Sequence, residues 1–135
     1  MPTLIPTILR STVIRRAQGR CEYCGKPSVS FYPHEVDHII ALKHGGETSP
    51  DNLAFACFQR NRYKGSDIAS IDPQSGTITP LFNPRAQAWN DHFRFEGATI
   101  SALTAEGRTT VFLLHLNDPD RVQERVALKV GETLE

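Results

Sequence analysis

Hydrophobic residues recur at helical spacing near the start of the chain. The residues that share this spacing are Leu9, Val13, Ile14 and Ala17. They predict a first helix from Ile8 to Gln18, which Gly19 can end in the left-handed conformation.

The middle of the chain has patterns typical of extended structure. Residues Val29 to Ile40 are rich in β-branched and aromatic side chains and predict a strand, whose first part Pro33 confines to a sheet edge. A loop with glycine and proline follows from Lys43 to Asp51. Apolar residues then alternate with small ones from Leu53 to Cys57, which predicts a second strand, and Gln59 to Lys64 suits a short helix. The expected order is strand, loop, strand, helix.

Turn and cap residues dominate the pattern after residue 65. The segment Ile71 to Ile78 predicts a hairpin. Asn83 and Pro84 predict the start of a short helix that reaches to about Phe93. Gly97 marks the turn of a second hairpin.

Two further helices are predicted towards the C-terminus. Thr104 can cap the first of them, which carries the apolar residues Val111, Leu113, Leu114 and Leu116. Asp118 and Pro119 begin the second helix, and Gly131 ends it. Its predicted apolar face consists of Val122, Val126 and Val130.

Length and composition narrow the class of protein. A chain of 135 residues fits one domain, which would bury about two-thirds of the surface that its unfolded chain exposes. An apolar fraction of 39% and a charged fraction of 22% argue against disorder and against a coiled coil. No apolar run approaches the roughly 20 residues that span a bilayer, and the N-terminus lacks an apolar signal core. We therefore expect a cytoplasmic protein without a membrane partner.

Charge is divided unevenly although the formal net charge is zero. Residues 1 to 64 hold 9 Lys or Arg against 5 Asp or Glu, and residues 65 to 135 hold 6 against 10. The first basic residues of the chain are Arg10, Arg15, Arg16, Arg20 and Lys26. They either follow a phosphate backbone or form a solvated helix face, and the sequence favours neither interpretation.

The three cysteines are Cys21, Cys24 and Cys57. An odd count in a chain without a secretion signal argues against a disulfide framework. The segment Cys21-Glu-Tyr-Cys24-Gly25 predicts a tight knuckle that can bring two thiolates to one cation.

Residues 37 to 64 contain the groups that metal-dependent hydrolysis of a phosphodiester needs. Asp37 and Asn61 offer the short, hard oxygen ligands that Mg²⁺ or Mn²⁺ prefers, and His38 can take a proton near pH 7. Lys64 can contact phosphate. Asn52 can bond a backbone carbonyl and hold the His38 segment in place. Hydrolysis of a nucleic-acid backbone is the function that these residues favour.

Several points about this site stay open in the sequence. Neighbouring strand residues face opposite sides of a sheet, so Asp37 and His38 serve one site only where the strand ends, bends or bulges. Glu35 is a second carboxylate near the metal or, as we favour, a solvent-facing strand residue. His44 and Arg62 either contact phosphate or face solvent, and the position of Arg62 directly after Asn61 favours contact with phosphate.

Together these elements resemble the HNH endonuclease family, whose pattern is Cys-x-x-Cys, Asp-His, Asn-Leu and Cys-x-x-Cys-Asn-x-x-Lys-Gly. The matching elements here are Cys21 and Cys24, Asp37-His38, Asn52-Leu53, Cys57, and Asn61 with Lys64-Gly65. The match covers roughly residues 20 to 65, and the combined spacing makes it specific. The segment from Leu81 to Phe93 also resembles an extension of bacterial HNH proteins.

The resemblance implies an α+β protein with a ββα-metal (His-Me finger) nuclease core that cuts DNA through one divalent cation, Mg²⁺ or Mn²⁺. It implies His38 as general base, Asp37 and Asn61 as metal ligands, and Asn52 as support of the loop. The expected organisation is a core with an N-terminal helix and cysteine knuckle over residues 1–70. A mixed hairpin and helical C-terminal extension, residues 71–135, would pack on this core. RNA stays open as a substrate.

The chain departs from the family pattern at Arg60, which stands where a fourth zinc thiolate is expected. A guanidinium stays protonated and cannot bind zinc. The three cysteines then give at most three ligands, with His34, His44 or water as a fourth. The sequence favours a lost structural zinc site, with its cysteines buried as small apolar residues, over a repaired one.

Two other functions stay open. The first is an HNH-like nucleic-acid binding module with weak or no catalysis, which the lost cysteine makes conceivable. The second, more remote, is a structural zinc-knuckle adaptor for another protein.

Overall fold

A computed structural model describes residues 5–28 and 33–131. Its helices are α1 (Thr7–Arg16), α2 (Phe58–Lys64), α3 (Trp89–His92), α4 (Ala105–Leu113) and α5 (Pro119–Ala127). Its strands form three antiparallel hairpins, which are β1 (Glu35–His38) with β2 (Leu53–Ala56), β3 (Ala69–Ile71) with β4 (Ile78–Pro80), and β5 (Phe93–Glu96) with β6 (Thr99–Ala102). The protein is therefore α+β, as the sequence indicates.

The first predicted helix is confirmed with slightly different ends, because α1 runs from Thr7 to Arg16. Gln18 and Gly19, with φ of 56° and 71°, leave the helix through the left-handed region. Val13 is fully buried in a small cluster with residues of β1 and β2. Ile14 is 40% exposed, so the apolar face is narrower than its sequence spacing suggests.

The predicted order of strand, loop, strand and helix is confirmed by β1, β2 and α2. Residues 29–32, the start of the predicted first strand, lie outside the described residues, and β1 itself spans only Glu35–His38. All four residues of β2 are buried. The reason is that Leu53 and Phe55 face the α1 cluster, whereas Ala54 and Ala56 face the main core on the other side.

Both hairpins predicted after residue 65 are confirmed, but the helix predicted from Asn83 to Phe93 is wrong for most of its length. The side-chain oxygen of Asn83 accepts hydrogen bonds from the backbone N–H groups of Arg85 and Ala86, at 2.8 and 3.3 Å. The Gln87 side-chain oxygen accepts a hydrogen bond from Asn83 N, and Gln87 N donates to Asn83 O at 3.0 Å. Asn83 therefore caps a single turn, as predicted. The turn does not continue, and a helix forms only at Trp89–His92.

The last two predicted helices are confirmed, although α5 ends at Ala127 rather than at Gly131, and the apolar face predicted for it is wrong at Val126. The Thr104 side chain caps α4 by accepting a hydrogen bond from Gly107 N at 3.0 Å. In α5 Val126 is 62% exposed, whereas Arg125 is buried. The Arg125 guanidinium donates to Ala98 O and to the side-chain oxygen of Asn117. A hydrogen-bonded cation at position 125 is therefore buried, while the neighbouring Val126, which the periodicity assigned to the apolar face, is exposed.

Residues from both halves of the chain form the main core. The cysteines and Tyr23 of the first half share one buried cluster with five large apolar side chains of the second half, which are Phe82, Phe93, Ile100, Leu114 and Leu116. Polar contacts join the same halves: Trp89 Nε1 donates to Tyr23 O at 2.9 Å, and Lys26 pairs with Glu124 at 3.2 Å. Within the described residues, no helix has the length and apolarity required to cross a bilayer.

Candidate active site

Helix α2 lies along the face of β1 that carries Glu35 and Asp37, which are two residues apart and so point to the same side. At one end of this contact, Asn61 Nδ2 donates to Glu35 Oε1 at 2.6 Å. At the other end, Lys64 Nζ donates to the backbone oxygen of Ile39 at 2.7 Å. The carboxylate of Asp37 therefore projects from the strand between the two points at which the helix is attached.

Lys64 is buried, and its ammonium has an internal partner rather than a solvent-facing position. Burial lowers the pKa of Lys64, while the carboxylates of Asp37 and Asp67 act in the opposite direction. The ammonium thus fixes α2 to the end of β1 and lies close enough to Asp37 to interact with its charge. Lys64 is only 5% exposed, so its ammonium is turned away from solvent, and its contact with phosphate stays a prediction.

His38 is the last residue of β1, the position at which the sequence allowed neighbouring residues to serve one site. Its Nδ1 atom lies 3.8 Å from Asp37 Oδ1, and its Nε2 atom lies 2.8 Å from the hydroxyl of Thr48. The imidazole is only 9% exposed, whereas the Asp37 side chain is 46% exposed. The two side chains thus approach each other at the end of the strand, with the carboxylate more open to solvent.

Asn52 ties the loop between β1 and β2 to the residues after His38. Its amide oxygen accepts from Ile40 N, and its amide nitrogen donates to Ile40 O and Glu47 O, each at 2.9 Å. All of these bonds go to backbone, which is what the predicted supporting role requires. They set the path of the chain on both sides of the loop that carries Thr48.

The same loop requires glycine at position 46. A Cβ atom there would overlap the backbone oxygen of Ile40 and contact the Asn52 amide, whereas one at Gly45 would meet nothing. We expect Gly46→Ala to destabilise the fold by roughly 3 kcal/mol, the upper range for overpacking. Gly45→Ala should cost about 1 to 2 kcal/mol, because it only places alanine at a left-handed φ of 88°. Urea unfolding of both variants measures the difference, and equal losses would contradict the assigned clash.

The other basic residues predicted to contact phosphate differ in exposure and in the internal hydrogen bonds that they make. His44 and Arg62 are exposed, although His44 Nε2 bonds Ser66 O at 3.1 Å and the Arg62 guanidinium lies over the Phe58 ring at 4.3 Å. Four of the five early basic residues make internal bonds, which are Arg10 to Ile5 O, Arg16 to Leu53 O, Arg20 to Gly25 O, and Lys26 to Glu124. Arg62 and His44 are therefore better placed for nucleic acid than the early basic residues as a group.

The sulfur atoms of Cys21, Cys24 and Cys57 all lie within 4.8 Å of one another, and those of Cys24 and Cys57 are 3.8 Å apart. That separation equals about the edge of a tetrahedron with zinc–sulfur bonds of about 2.3 Å. The backbone N–H groups of Tyr23 and Cys24 both point at Cys21 Sγ, at 3.4 Å. The cluster could therefore bind a metal through three sulfurs.

Arg60, whose guanidinium cannot bind zinc, stands at the position in the chain where the fourth cysteine ligand is expected. The Arg60 side chain is 1% exposed, and its Nη1 donates to His115 O at 2.7 Å. Hydrogen bonds from Cys21 and Cys24, followed by the backbone N–H and charge of Arg60, lower the pKa of Cys57. His34 and His44, the predicted substitutes, bond backbone oxygens and do not belong to the ligand cluster of the described residues. The structure thus offers three thiols beside a cation instead of a closed four-ligand site.

Restoring the fourth thiol should convert this cluster into a tight zinc site. We expect Arg60→Cys to lower the Kd for Zn²⁺ by about one order of magnitude or more, because structural zinc is almost always four-coordinate. Zinc content after dialysis against graded chelator measures the change, and Co²⁺ absorption reports the number of thiolates. Arg60→Met is the matched control, since it removes the cation without adding a ligand. Equal zinc retention by the parent chain and Arg60→Cys would contradict the prediction.

Sequence reasoning did not assign a role to two residues near the site. Thr48, which bonds His38 Nε2, had no signal in the sequence beyond its place in a loop. Glu35 is exposed, as the sequence favours, but the sequence does not predict that its carboxylate bonds Asn61. The two-residue spacing of Glu35 and Asp37 on one strand was the available signal for their shared face.

Fold and site together define an α+β protein in which a strand–loop–strand hairpin carries Asp37 and His38, and a short helix packed on β1 carries Asn61. A comparison with protein families matches residues 21–67, roughly a third of the chain, to the family described as HNH endonuclease. Residues 21–67 are therefore similar to HNH endonucleases, and the match supports a nuclease-like or nucleic-acid-binding function. A comparison with curated proteins gives no match.

Proposed function

We propose that this protein is a metal-dependent endonuclease that hydrolyses phosphodiester bonds of DNA. The observation that carries the proposal is the approach of His38 Nδ1 to within 3.8 Å of Asp37 Oδ1, at the end of the strand to which α2 presents Asn61. In this proposal the His38 nitrogen, the Asp37 carboxylate and the Asn61 amide oxygen act at one position, and the packing of α2 against β1 supports it.

The donor set suits a hard divalent cation. Asp37 and Asn61 would hold Mg²⁺ or Mn²⁺ through oxygen atoms, and the ion would neutralise charge that develops on the phosphoryl and leaving oxygens. The exposure of Asp37 leaves its carboxylate accessible to an ion and to a phosphate. Among the described residues no donor bonds Asn61 Oδ1, so this oxygen is available as a ligand.

His38 is the proposed general base, and its contacts distinguish its two ring nitrogens. Nε2 is within hydrogen-bond distance of Thr48 Oγ1 at 2.8 Å, whereas 3.8 Å from Nδ1 to Asp37 is too long for a hydrogen bond. With a proton on Nε2 donated to Thr48, Nδ1 keeps its lone pair and can accept the proton of the attacking water. Thr48 would thus hold the imidazole in the tautomer and orientation that the reaction needs.

Nicking of a supercoiled plasmid tests the proposal. We expect conversion to open circles with Mg²⁺ or Mn²⁺, none with EDTA, and a fall to background in Asp37→Asn, because the amide weakens the hard ligand set. Asp51→Asn, which alters an exposed carboxylate of the loop, should retain activity. An RNA substrate of the same length separates DNA from RNA preference. DNA binding by the parent chain without metal-dependent cutting would replace the proposal with an HNH-like binding module.

A further inference from the structure

We infer that Glu35 is a positioning residue of the proposed site, which orients the Asn61 amide so that its oxygen faces the cation. This inference rests on the proposed function and adds a residue to it. Its basis is the bond of 2.6 Å between Asn61 Nδ2 and Glu35 Oε1, which joins α2 to β1 beside Asp37.

An asparagine side chain can present either end of its amide to a neighbour. The nitrogen only donates and the oxygen only accepts, so an amide that rotates by half a turn would offer a cation its N–H groups. An ionised glutamate only accepts, and it therefore bonds the nitrogen and not the oxygen of Asn61. A carboxylate at position 35 thus selects the amide orientation in which Oδ1 is left for a metal.

The backbone pairing of β1 holds Glu35 in a fixed position relative to Asp37, the proposed metal ligand that accompanies Asn61. Glu35 and Asp37 share a face of β1, and β1 is held to β2 by the pairs Glu35 with Ala56 and Asp37 with Ala54. One helical turn beyond Asn61, Lys64 fixes α2 to Ile39 O at 2.7 Å. The helix is therefore attached at the first residue of β1 and at the residue that follows the strand, and the Glu35 contact acts directly on the side chain of Asn61.

Metal ligands are commonly oriented by such outer partners, and loss of one typically weakens metal binding by about 10- to 100-fold. We expect Glu35→Ala to raise the Kd for Mn²⁺ by at least about tenfold on that basis. Glu35→Gln keeps an acceptor oxygen for Asn61 and should stay within about threefold of the parent chain. At saturating Mn²⁺ the nicking rate of Glu35→Ala should recover to about that of the parent chain, because the base and the carboxylate ligand are unchanged.

Electron paramagnetic resonance measures the Kd for Mn²⁺, and thermal unfolding measures the Tm of the same variants. Nicking rates are measured over a range of Mn²⁺ concentrations. Asp91→Ala is the matched control, since it removes an exposed carboxylate from α3. An orienting role predicts a raised Kd at an unchanged Tm in Glu35→Ala. A lowered Tm with an unchanged Kd would overturn the inference in favour of a purely structural tie.

Two further outcomes separate the inference from its alternatives. If Glu35→Gln loses Mn²⁺ binding as fully as Glu35→Ala, the carboxylate is itself a metal ligand and the orienting role is wrong. If the parent chain binds Mn²⁺ and cuts DNA while both variants match it, the inference fails and the proposed function stands. A parent chain that neither binds Mn²⁺ nor cuts DNA overturns both.

Discussion

Replacement of His38 by alanine should reduce metal-dependent nicking by about two to four orders of magnitude, the usual contribution of general acid–base catalysis. The methyl group of alanine cannot take a proton from water, and among the described residues no other imidazole lies beside Asp37. The Kd for Mn²⁺ should change little, because the His38 side chain comes only within 3.8 Å of the proposed ligand Asp37, and the backbone bond of 2.8 Å from His38 N to Asp37 Oδ1 is kept in alanine. Single-turnover nicking rates and metal titrations on the same preparation measure the two effects.

A matched histidine variant makes the His38 result specific. His115 is exposed, bonds Asp118 and has a φ of 53°, a conformation that asparagine tolerates. His115→Asn should therefore retain the parent rate. Partial recovery of His38→Ala by added imidazole would show that the missing group is a base. Undiminished cutting by His38→Ala would show that the base is another group or that the activity belongs to a contaminant.

Truncation after Asp67, the end of the family match, should leave an unfolded chain. The fragment would lose Leu81 and the five least exposed large apolar side chains of the second half in the main core, which are Phe82, Phe93, Ile100, Leu114 and Leu116. Burial of such side chains contributes about 1.5–3 kcal/mol each, or about 8–15 kcal/mol for these five, which is comparable with the whole stability of a small domain. It would also lose His115 O, the acceptor for the buried Arg60 guanidinium.

Circular dichroism and amide proton spectra of residues 1–67 measure this outcome against the full chain. A fragment unfolded by both measurements supports the view that the extension completes the core. The matched control is Phe82→Ala in the full chain, which removes one of the five side chains and should cost about 3–5 kcal/mol without abolishing the fold. A fragment with dispersed amide signals and a cooperative unfolding transition would contradict the prediction.

The cysteine cluster belongs to the main core, and α2 connects it to the proposed site, because Cys57 precedes this helix and Asn61 lies within it. Its three sulfurs are buried in the main cluster, and the cation beside them is a guanidinium of α2. Arg60 and Asn61 are adjacent in that helix, and neighbouring helix residues point in different directions. Arg60 therefore donates to His115 O, whereas Asn61 donates to Glu35. Changes at Arg60 should therefore affect stability first and metal binding at Asn61 second.

The sequence by itself determined the order of elements and the identity of the candidate ligands. Local signals were sufficient for α1, for the strand–loop–strand–helix unit, for two hairpins and for the Thr104 cap, because each depends on residues close together in the chain. A motif with fixed spacing likewise placed Asp37, His38 and Asn61 in one family pattern. Local signals also placed the Asn83 cap correctly, but they did not show that its turn ends before the helix at Trp89.

The tertiary structure alone decided which groups face each other. No local pattern could show that Glu35 bonds Asn61, 26 positions away, that Thr48 bonds His38, or that the ammonium of Lys64 is turned inward to Ile39 O. Burial of Arg125 in place of Val126 also depends on acceptors from other elements. The physical reason is that propensity and periodicity act within a few residues, whereas the partner of a polar side chain is set by how separate elements pack.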